Sequence, residues 1–254
     1  NNFVESPILY FFRNLIHLPE AKTAHLDFGN LIHGALENYF NECKKKGGIL
    51  KKDVLKKSFE KTLEAYPAYR EFEERGWEFI TEYFKERQKS FDVPLENEFR
   101  IPAVPFELRD GQILNLTGVM DKITRDKEGN IVVWDYKTGK AYSDMSKDRK
   151  EKIRRQATFY KLLLRHAYSG RYDFHKAVFD FIEPNSKGEF ERAEFEISPS
   201  EVDDLRDLIQ ELADTVLSGE LLKTEYKKTD KTKDYLELLD LINGDPEQGE
   251  LFDK

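Results

Sequence analysis

Hydrophobic side chains recur at the three- and four-residue spacing of amphipathic helices through the first ninety residues of the chain. Glycine and proline residues, which end helices, separate the segments that carry this pattern. We therefore predict an N-terminal block of helices, over residues 3–18, 27–46, 52–66 and 68–91.

The pattern changes after residue 95 to runs rich in β-branched and aromatic residues, separated by turn signals. These runs predict five strands, over residues 96–101, 114–124, 131–136, 175–182 and 190–197. Helical spacing returns in three further segments, over residues 150–168, 198–218 and 234–242. The alternation of strands and helices predicts an α/β fold, with strands packed between helices.

Composition narrows the class of protein. The chain has 254 residues, of which 39% are hydrophobic, and contains no apolar run of membrane-spanning length and no signal peptide. Cys43 is the only cysteine, so no internal disulfide can form, and we predict a cytoplasmic protein. Because the chain starts at Asn1 and opens directly into a helical pattern, we expect a domain excised from a longer protein.

The net charge of −8 argues against a free-standing protein that binds DNA tightly, since phosphate contacts need clustered lysine and arginine. Basic residues do cluster over residues 147–155. That cluster has two readings at this point, an exposed helix face or a surface that meets the substrate.

Two carboxylates and a lysine fall at the ends of two neighbouring predicted strands. The turn over residues 126–130 has the Gly/Asn chemistry of a hairpin, and pairing across it would bring Asp121 close to Asp135. Nearby carboxylates repel, so they are tolerated mainly where a cation or a shared proton relieves them. Lys137 lies two residues after Asp135 and therefore on the same strand face. The group predicts a site for a divalent cation and a water molecule.

Asp121 followed by Asp135-Tyr136-Lys137 resembles the signature of the PD-(D/E)XK nucleases. Gln156 and Tyr160 match the Q-x-x-x-Y motif of the RecB-like branch of that family, and Gly29 with His33 resembles the branch's upstream histidine motif. The motifs occur in the family's order, which is a stronger match than any one of them alone.

The resemblance implies a restriction-endonuclease-like core, in which a central mixed β-sheet is flanked by helices. It implies a domain over residues 1–218, made of a helical block (1–92) and an α/β core (93–218). Residues 219–254 would form a C-terminal extension with a flexible tail. The function implied is a deoxyribonuclease that uses Mg²⁺ or Mn²⁺ and processes DNA ends in repair or recombination.

The family also implies roles for individual residues. The metal ligands would be His33, Asp121, Asp135 and the backbone carbonyl of Tyr136, and Lys137 would orient or help deprotonate the attacking water. Gln156 and Tyr160 would donate neutral hydrogen bonds to a phosphate or to the active-site carboxylate. The alternative readings are a structural histidine and ordinary helix packing. Either Glu96 or Glu98 could add a further ligand, and strand alternation does not choose between them.

Partners follow from the same resemblance. Nucleases of this branch are often joined to a UvrD/Rep-type helicase, so we expect DNA and a helicase domain, in the same or a partner chain. Some members hold an iron–sulfur cluster with four cysteines, which a chain whose one cysteine is Cys43 cannot do.

The C-terminal tail carries a separate signal. Gln248, Leu251 and Phe252 resemble the Q-x-x-L-F peptide by which bacterial proteins bind the DNA polymerase sliding clamp. Two other functions remain open at this stage: a catalytically silent nuclease fold that only binds DNA or protein, and hydrolysis of RNA.

Overall fold

The structure is a computed structural model, and it describes residues 1–19, 24–168 and 174–243. Its contacts group the chain into two units, residues 22–205 and, separately, residues 1–21 together with 206–254. This grouping does not test the predicted domain boundary at residue 218, which stays a prediction. No helix within the described ranges is long and apolar enough to cross a membrane.

The larger unit begins with three helices that correspond to the predicted helical block: α3 (Ala24–Lys46), α4 (Lys52–Ala65) and α5 (Glu73–Arg87). Gly47 ends α3 with a φ of 66°, a backbone conformation that glycine adopts without strain. Pro67 starts a 3₁₀ turn ahead of α5, so the helix predicted over residues 68–91 is shorter than expected.

The smaller unit corrects one prediction. The single helix expected over residues 3–18 is three short pieces: α1 (Asn2–Glu5), α2 (Pro7–Tyr10) and a π-helical turn (Phe11–Leu15). Proline disfavours helical backbone in the residue before it, and Ser6 is accordingly extended. The unit has a small core of its own, formed by Ile8, Phe12, Leu221 and Leu239, the last from α8 (Lys233–Asn243).

Five strands form one mixed sheet in the order β1-β2-β3-β4-β5, as the sequence predicted. Neighbouring strands are antiparallel except β3 and β4, which are parallel and are joined by helix α6 (Lys147–Tyr168). A parallel pair needs such a crossover. The strands are β1 (Glu96–Glu107), β2 (Ile113–Arg125), β3 (Ile131–Lys137), β4 (Phe174–Phe181) and β5 (Arg192–Glu196), and helix α7 (Pro199–Leu217) follows.

Strand β1 is longer than predicted. Pro102 and Pro105 suggested that the strand ends at Ile101, yet it continues to Glu107. Its pairing with β2 shifts register between Ile101 and Val104, and β1 lies at the edge of the sheet. An edge strand tolerates proline because the missing amide donor faces no neighbouring strand.

One face of the sheet packs on the helical block. The core there contains buried residues of α3, α4 and α5 together with Tyr136 of β3. The rings of Phe40 and Tyr136 stack with centroids 6.0 Å apart. Burying aromatic side chains of this size is among the largest stabilising contributions that a core can make.

A buried lysine lies in this core. Lys122 of β2 is 1% exposed, and its Nζ lies 4.2 Å from the ring centroid of Phe40 and 4.5 Å from that of Trp134. The rings of Phe91 and Tyr136 complete an aromatic box around the ammonium group. Burial lowers the pKa of Lys122 from 10.5 to about 7. The aromatic rings therefore do not fully replace the lost hydration.

Asp180 of β4 is a second buried ionisable group, and it ties the helical block to the sheet. Its Oδ2 accepts hydrogen bonds from Tyr83 Oη (2.8 Å) and from Arg192 Nε (2.9 Å). Arg87 Nε lies 3.8 Å from Oδ1. Tyr83 and Arg87 belong to α5, so this carboxylate joins α5, β4 and β5.

Replacing Lys122 with methionine should raise the free energy of unfolding at pH 7, on the order of 1–4 kcal/mol, because an apolar chain of similar length removes a buried charge. The folded pKa lies below the unfolded one, so between pH 7 and 10 the unfolded wild type binds more protons and wild-type stability rises with pH. The advantage of Lys122→Met should therefore shrink toward pH 10, as measured by urea unfolding of both proteins. Equal destabilisation by the variant at both pH values would contradict this account.

Candidate active site

The site lies where strands β2 and β3 separate. The antiparallel pairing ends at Lys122 and Trp134, and Asp121 and Asp135 occupy the next position in the same register. There the carboxylate of Asp121 takes the place of a backbone acceptor, since its Oδ2 accepts the amide of Tyr136 at 2.7 Å. The hairpin therefore brings together the two carboxylates that the sequence indicated.

Asp121 is held at an electrostatic cost. Burial, and next the charge of Asp135, raise the pKa of Asp121 from 3.8 to about 6. His33 and the Tyr136 amide act in the opposite direction but do not cancel these effects. A divalent cation between the carboxylates would relieve this repulsion.

Asp135 is bound by three side chains. Its Oδ2 accepts hydrogen bonds from Tyr160 Oη (2.5 Å) and from Gln156 Nε2 (2.7 Å). Lys137 Nζ lies 2.6 Å from Oδ1 and also donates to Gln156 Oε1 at 3.0 Å. Gln156 and Tyr160 are one turn apart on α6, so the Q-x-x-x-Y pair reaches the carboxylate from that helix.

Helix α6 reaches β2 through a glycine. A Cβ at Gly118 would lie 2.5 Å from Cδ1 of Leu163, closer than carbon atoms can approach. The glycine that opens the G-x-x-D motif therefore lets α6, with Gln156 and Tyr160, approach the strand that carries Asp121.

His33 lies beside Asp121, as the resemblance implied. Its Nδ1 is 3.5 Å from Asp121 Oδ2, and its ring is one-third exposed. Gly29, one turn earlier on α3, lies against the chain after β3, because a Cβ there would be 2.9 Å from Thr138 Oγ1. The expectation that Gly29 permits a close approach is correct, although the neighbour is a side-chain oxygen.

The structure also separates Glu96 from Glu98. Glu96 forms an ion pair with Lys44 at 2.6 Å, away from the site. Glu98 lies opposite Asp121 in the β1–β2 register, between the pairs Asn97–Lys122 and Phe99–Met120. Burial, followed by the charges of Asp121 and Glu37, raises the pKa of Glu98 to about 7. Strand parity could not find this difference, because both glutamates lie on one side of a regular strand.

The donor set fits a hard divalent cation held partly by water. Among the described residues, no three His, Cys, Asp or Glu side chains are grouped closely enough to enclose a metal by themselves. Mg²⁺ does not require this, since it commonly binds one or two carboxylates and keeps several waters. The crowded carboxylates of Asp121 and Asp135, with the His33 ring beside them, suit that mode of binding. The predicted role of the Tyr136 carbonyl stays a prediction.

Comparison with known proteins now decides the family. The model of the PD-(D/E)XK nuclease superfamily matches residues 1–231. The chain belongs to that superfamily. Asp121 and the Asp135–Lys137 segment are its signature residues in this chain, and the geometry above is the arrangement of that signature.

Solved structures agree on the fold. A crystal structure described as "Putative exonuclease" from Eubacterium rectale is 12% identical, with a TM-score of 0.54, and the match covers 90% of this chain and 79% of that one. The similarity supports the restriction-endonuclease-like fold and no finer conclusion. The structure of SSO0001 is 15% identical with a TM-score of 0.36, and the match covers 85% of this chain and 86% of that one. No curated protein matches the chain.

Gln248, Leu251 and Phe252, the residues of the predicted clamp-binding peptide, lie outside the described residues. That peptide stays a prediction from the sequence.

Asp121→Asn should raise the thermal midpoint of the metal-free protein at pH 7. An acid whose folded pKa is raised destabilises the folded state progressively as the pH rises from about 4 to about 6, and asparagine removes that cost, roughly 1–3 kcal/mol. Mn²⁺ should then raise the midpoint of the wild type but not that of the variant. The measurement is differential scanning calorimetry at pH 4 and pH 7, with and without Mn²⁺. A variant that is less stable at pH 7 would contradict the prediction.

Proposed function

We propose that the protein is a metal-dependent deoxyribonuclease that processes DNA ends. The observation that supports this best is the convergence of Lys137, Gln156 and Tyr160 on the buried carboxylate of Asp135, with Asp121 beside it. This group combines an acidic pocket for a cation with an ammonium group that can act on a water. Those are the requirements of phosphodiester hydrolysis without a covalent intermediate.

A bound Mg²⁺ or Mn²⁺ ion would lower the pKa of a coordinated water and offset the negative charge that develops on the phosphate. Asp121 and Asp135 are the residues that would hold it, with His33 and the Tyr136 carbonyl completing the protein's ligands. Carboxylate and carbonyl oxygens are the ligands that these ions prefer.

Lys137 is placed to act on the attacking water. Its ammonium group has three N–H donors, and its present partners are Asp135 Oδ1 and Gln156 Oε1. One donor is therefore available for a water or a phosphate oxygen. The paired carboxylate keeps the lysine charged, so it can orient a hydroxide and stabilise the charge that forms on the phosphate.

Gln156 and Tyr160 act through Asp135. Their two hydrogen bonds fix the orientation of this carboxylate, and neither adds a charge that would compete with the cation. Burial and the charge of Asp135 raise the pKa of Tyr160, so its hydroxyl stays protonated and continues to donate. We infer that both residues position the cation site.

The basic cluster at the start of α6 supports DNA as the substrate. Arg149 lies two turns before Gln156 on the same helix and is exposed, so it can meet the phosphate backbone next to the site. Arg154 forms an ion pair with Glu201 at 2.6 Å, which leaves a small patch for phosphate contacts. A small patch on a chain with a net charge of −8 suits a nuclease to which another domain delivers DNA.

Exonuclease-type cleavage is favoured by the RecB-like order of the motifs and by the description of the Eubacterium rectale protein. On the same resemblance, we propose that a helicase domain, in the same or a partner chain, supplies the DNA in repair or recombination. A bacterial sliding clamp would be a further partner, through the tail peptide of Gln248, Leu251 and Phe252.

The test is cleavage of labelled single- and double-stranded DNA in the presence of Mg²⁺ or Mn²⁺. Replacing Lys137 with alanine should reduce the cleavage rate ~100-fold or more, because the group that acts on the water is lost. EDTA should abolish cleavage. Lys45→Ala is a matched control, since Lys45 only forms a surface pair with Glu42.

Two results would point elsewhere. Metal-dependent cleavage of an RNA strand but not of the DNA strand of the same sequence would change the substrate class. If the wild type cleaves no nucleic acid even when a helicase unwinds the DNA, the fold would be a silent binding module and the proposed activity would be wrong.

A further inference from the structure

Helix α3 runs beside strand β1 and brings one side chain per turn against the sheet. Lys44 pairs with Glu96, and Asn41 accepts a hydrogen bond from Asn97 at 3.0 Å. The same Asn97 side chain donates to the backbone carbonyl of Glu37 at 3.0 Å. Next along β1 comes Glu98. The contact series therefore leads from the surface pair to the carboxylate site and ends at His33 beside Asp121.

Glu98 has a backbone conformation that its neighbours do not share. Its φ is 47°, in the left-handed region that residues with a side chain rarely adopt, whereas the flanking pairs with β2 are regular. This distortion occurs at the position opposite Asp121. Non-glycine residues in this region persist where the surrounding structure forces them, and they cluster at functional sites.

The Glu98 side chain is half-buried and lies among acidic groups. The charges of Asp121, Glu37 and Asp135 all disfavour its ionised form. A regular strand residue with a neutral side chain would avoid both the strain and this repulsion. Nothing in the packing of β1 requires a carboxylate here, since the nearby anchoring contacts are made by Glu96 and Asn97.

The buried carboxylate at the other side of Asp121 is also incompletely satisfied. Oδ1 of Asp135 is buried and accepts no hydrogen bond of good geometry, although Lys137 Nζ lies 2.6 Å away as an ion-pair partner. The side chain of Asp135 is 7% exposed. Buried polar atoms are nearly always satisfied, so this oxygen indicates a ligand between the strands.

We propose that Glu98 is a further cation-binding residue of the nuclease site, which binds the divalent ion directly or through one of its waters. Carboxylates from three adjacent strands, Glu98 of β1, Asp121 of β2 and Asp135 of β3, then surround the ion. This inference rests on the proposed metal-dependent function. It adds a ligand from a strand that precedes the signature residues.

The test is the affinity for Mn²⁺, measured on the whole chain by isothermal titration calorimetry and by electron paramagnetic resonance of free Mn²⁺. Glu98→Gln keeps the size of the side chain and removes its charge, and should weaken Mn²⁺ binding about 10-fold or more. Glu96→Gln is the matched control, because it removes a carboxylate two residues away that pairs with Lys44, and it should bind Mn²⁺ like the wild type.

A second variant separates this role from a structural one. Glu98→Gly removes both the carboxylate and the left-handed strain, so the metal-free protein should unfold at the same or a higher temperature while Mn²⁺ binding falls. If Glu98 were structural, its removal would lower the unfolding temperature and leave the Mn²⁺ affinity of the folded protein unchanged.

The binding measurement is independent of cleavage. Wild-type affinity for Mn²⁺ in Glu98→Gln overturns the proposal, whether or not the wild type cleaves DNA. A wild type that binds Mn²⁺ through Asp121 and Glu98 but cleaves no nucleic acid would support the proposal while refuting the nuclease activity. No binding of Mn²⁺ by the wild type would overturn it.

Discussion

The repulsion between Asp121 and Asp135 is the constraint on which the rest of the site depends. Two carboxylates are held next to each other, largely out of water, where β2 and β3 separate. Each needs partners that compensate the lost hydration. Asp121 receives the Tyr136 amide and the His33 ring, and Asp135 receives Lys137, Gln156 and Tyr160. Every element that contacts the site supplies one of these partners.

Packing on the two sides of the sheet makes this arrangement possible. Toward the helical block, the aromatic box around Lys122 joins α3, β2 and β3, the elements that carry His33, Asp121 and Asp135. Toward α6, Gly118 permits the close approach that brings Gln156 and Tyr160 to the carboxylate. The fold thus holds the polar site between a dry core and a closely packed helix, which keeps it rigid against its own repulsion.

Local sequence patterns predicted the fold class well where they were regular. The strands around residues 114–124 and 131–136 were placed within about one residue, because β-branched runs end at an unambiguous hairpin turn. Patterns failed where tertiary contacts override local preference. Pro102 and Pro105 do not end β1, since an edge strand with a register shift accommodates them. Lys122 reads as a solvent-facing residue, yet it is buried among aromatic rings.

The sequence by itself determined the superfamily, the paired aspartates and the lysine two residues later. Register across a short hairpin and alternation along a strand are local properties, and the motifs report them directly. Only the tertiary structure decided which glutamate of β1 faces the site, how Gln156 and Tyr160 divide Asp135 with Lys137, and which side of the sheet is dry. These depend on contacts between elements far apart in the chain. Glu98 meets Asp121 because the backbone turns away from regular strand geometry at one residue, and no pattern in the sequence encodes that turn.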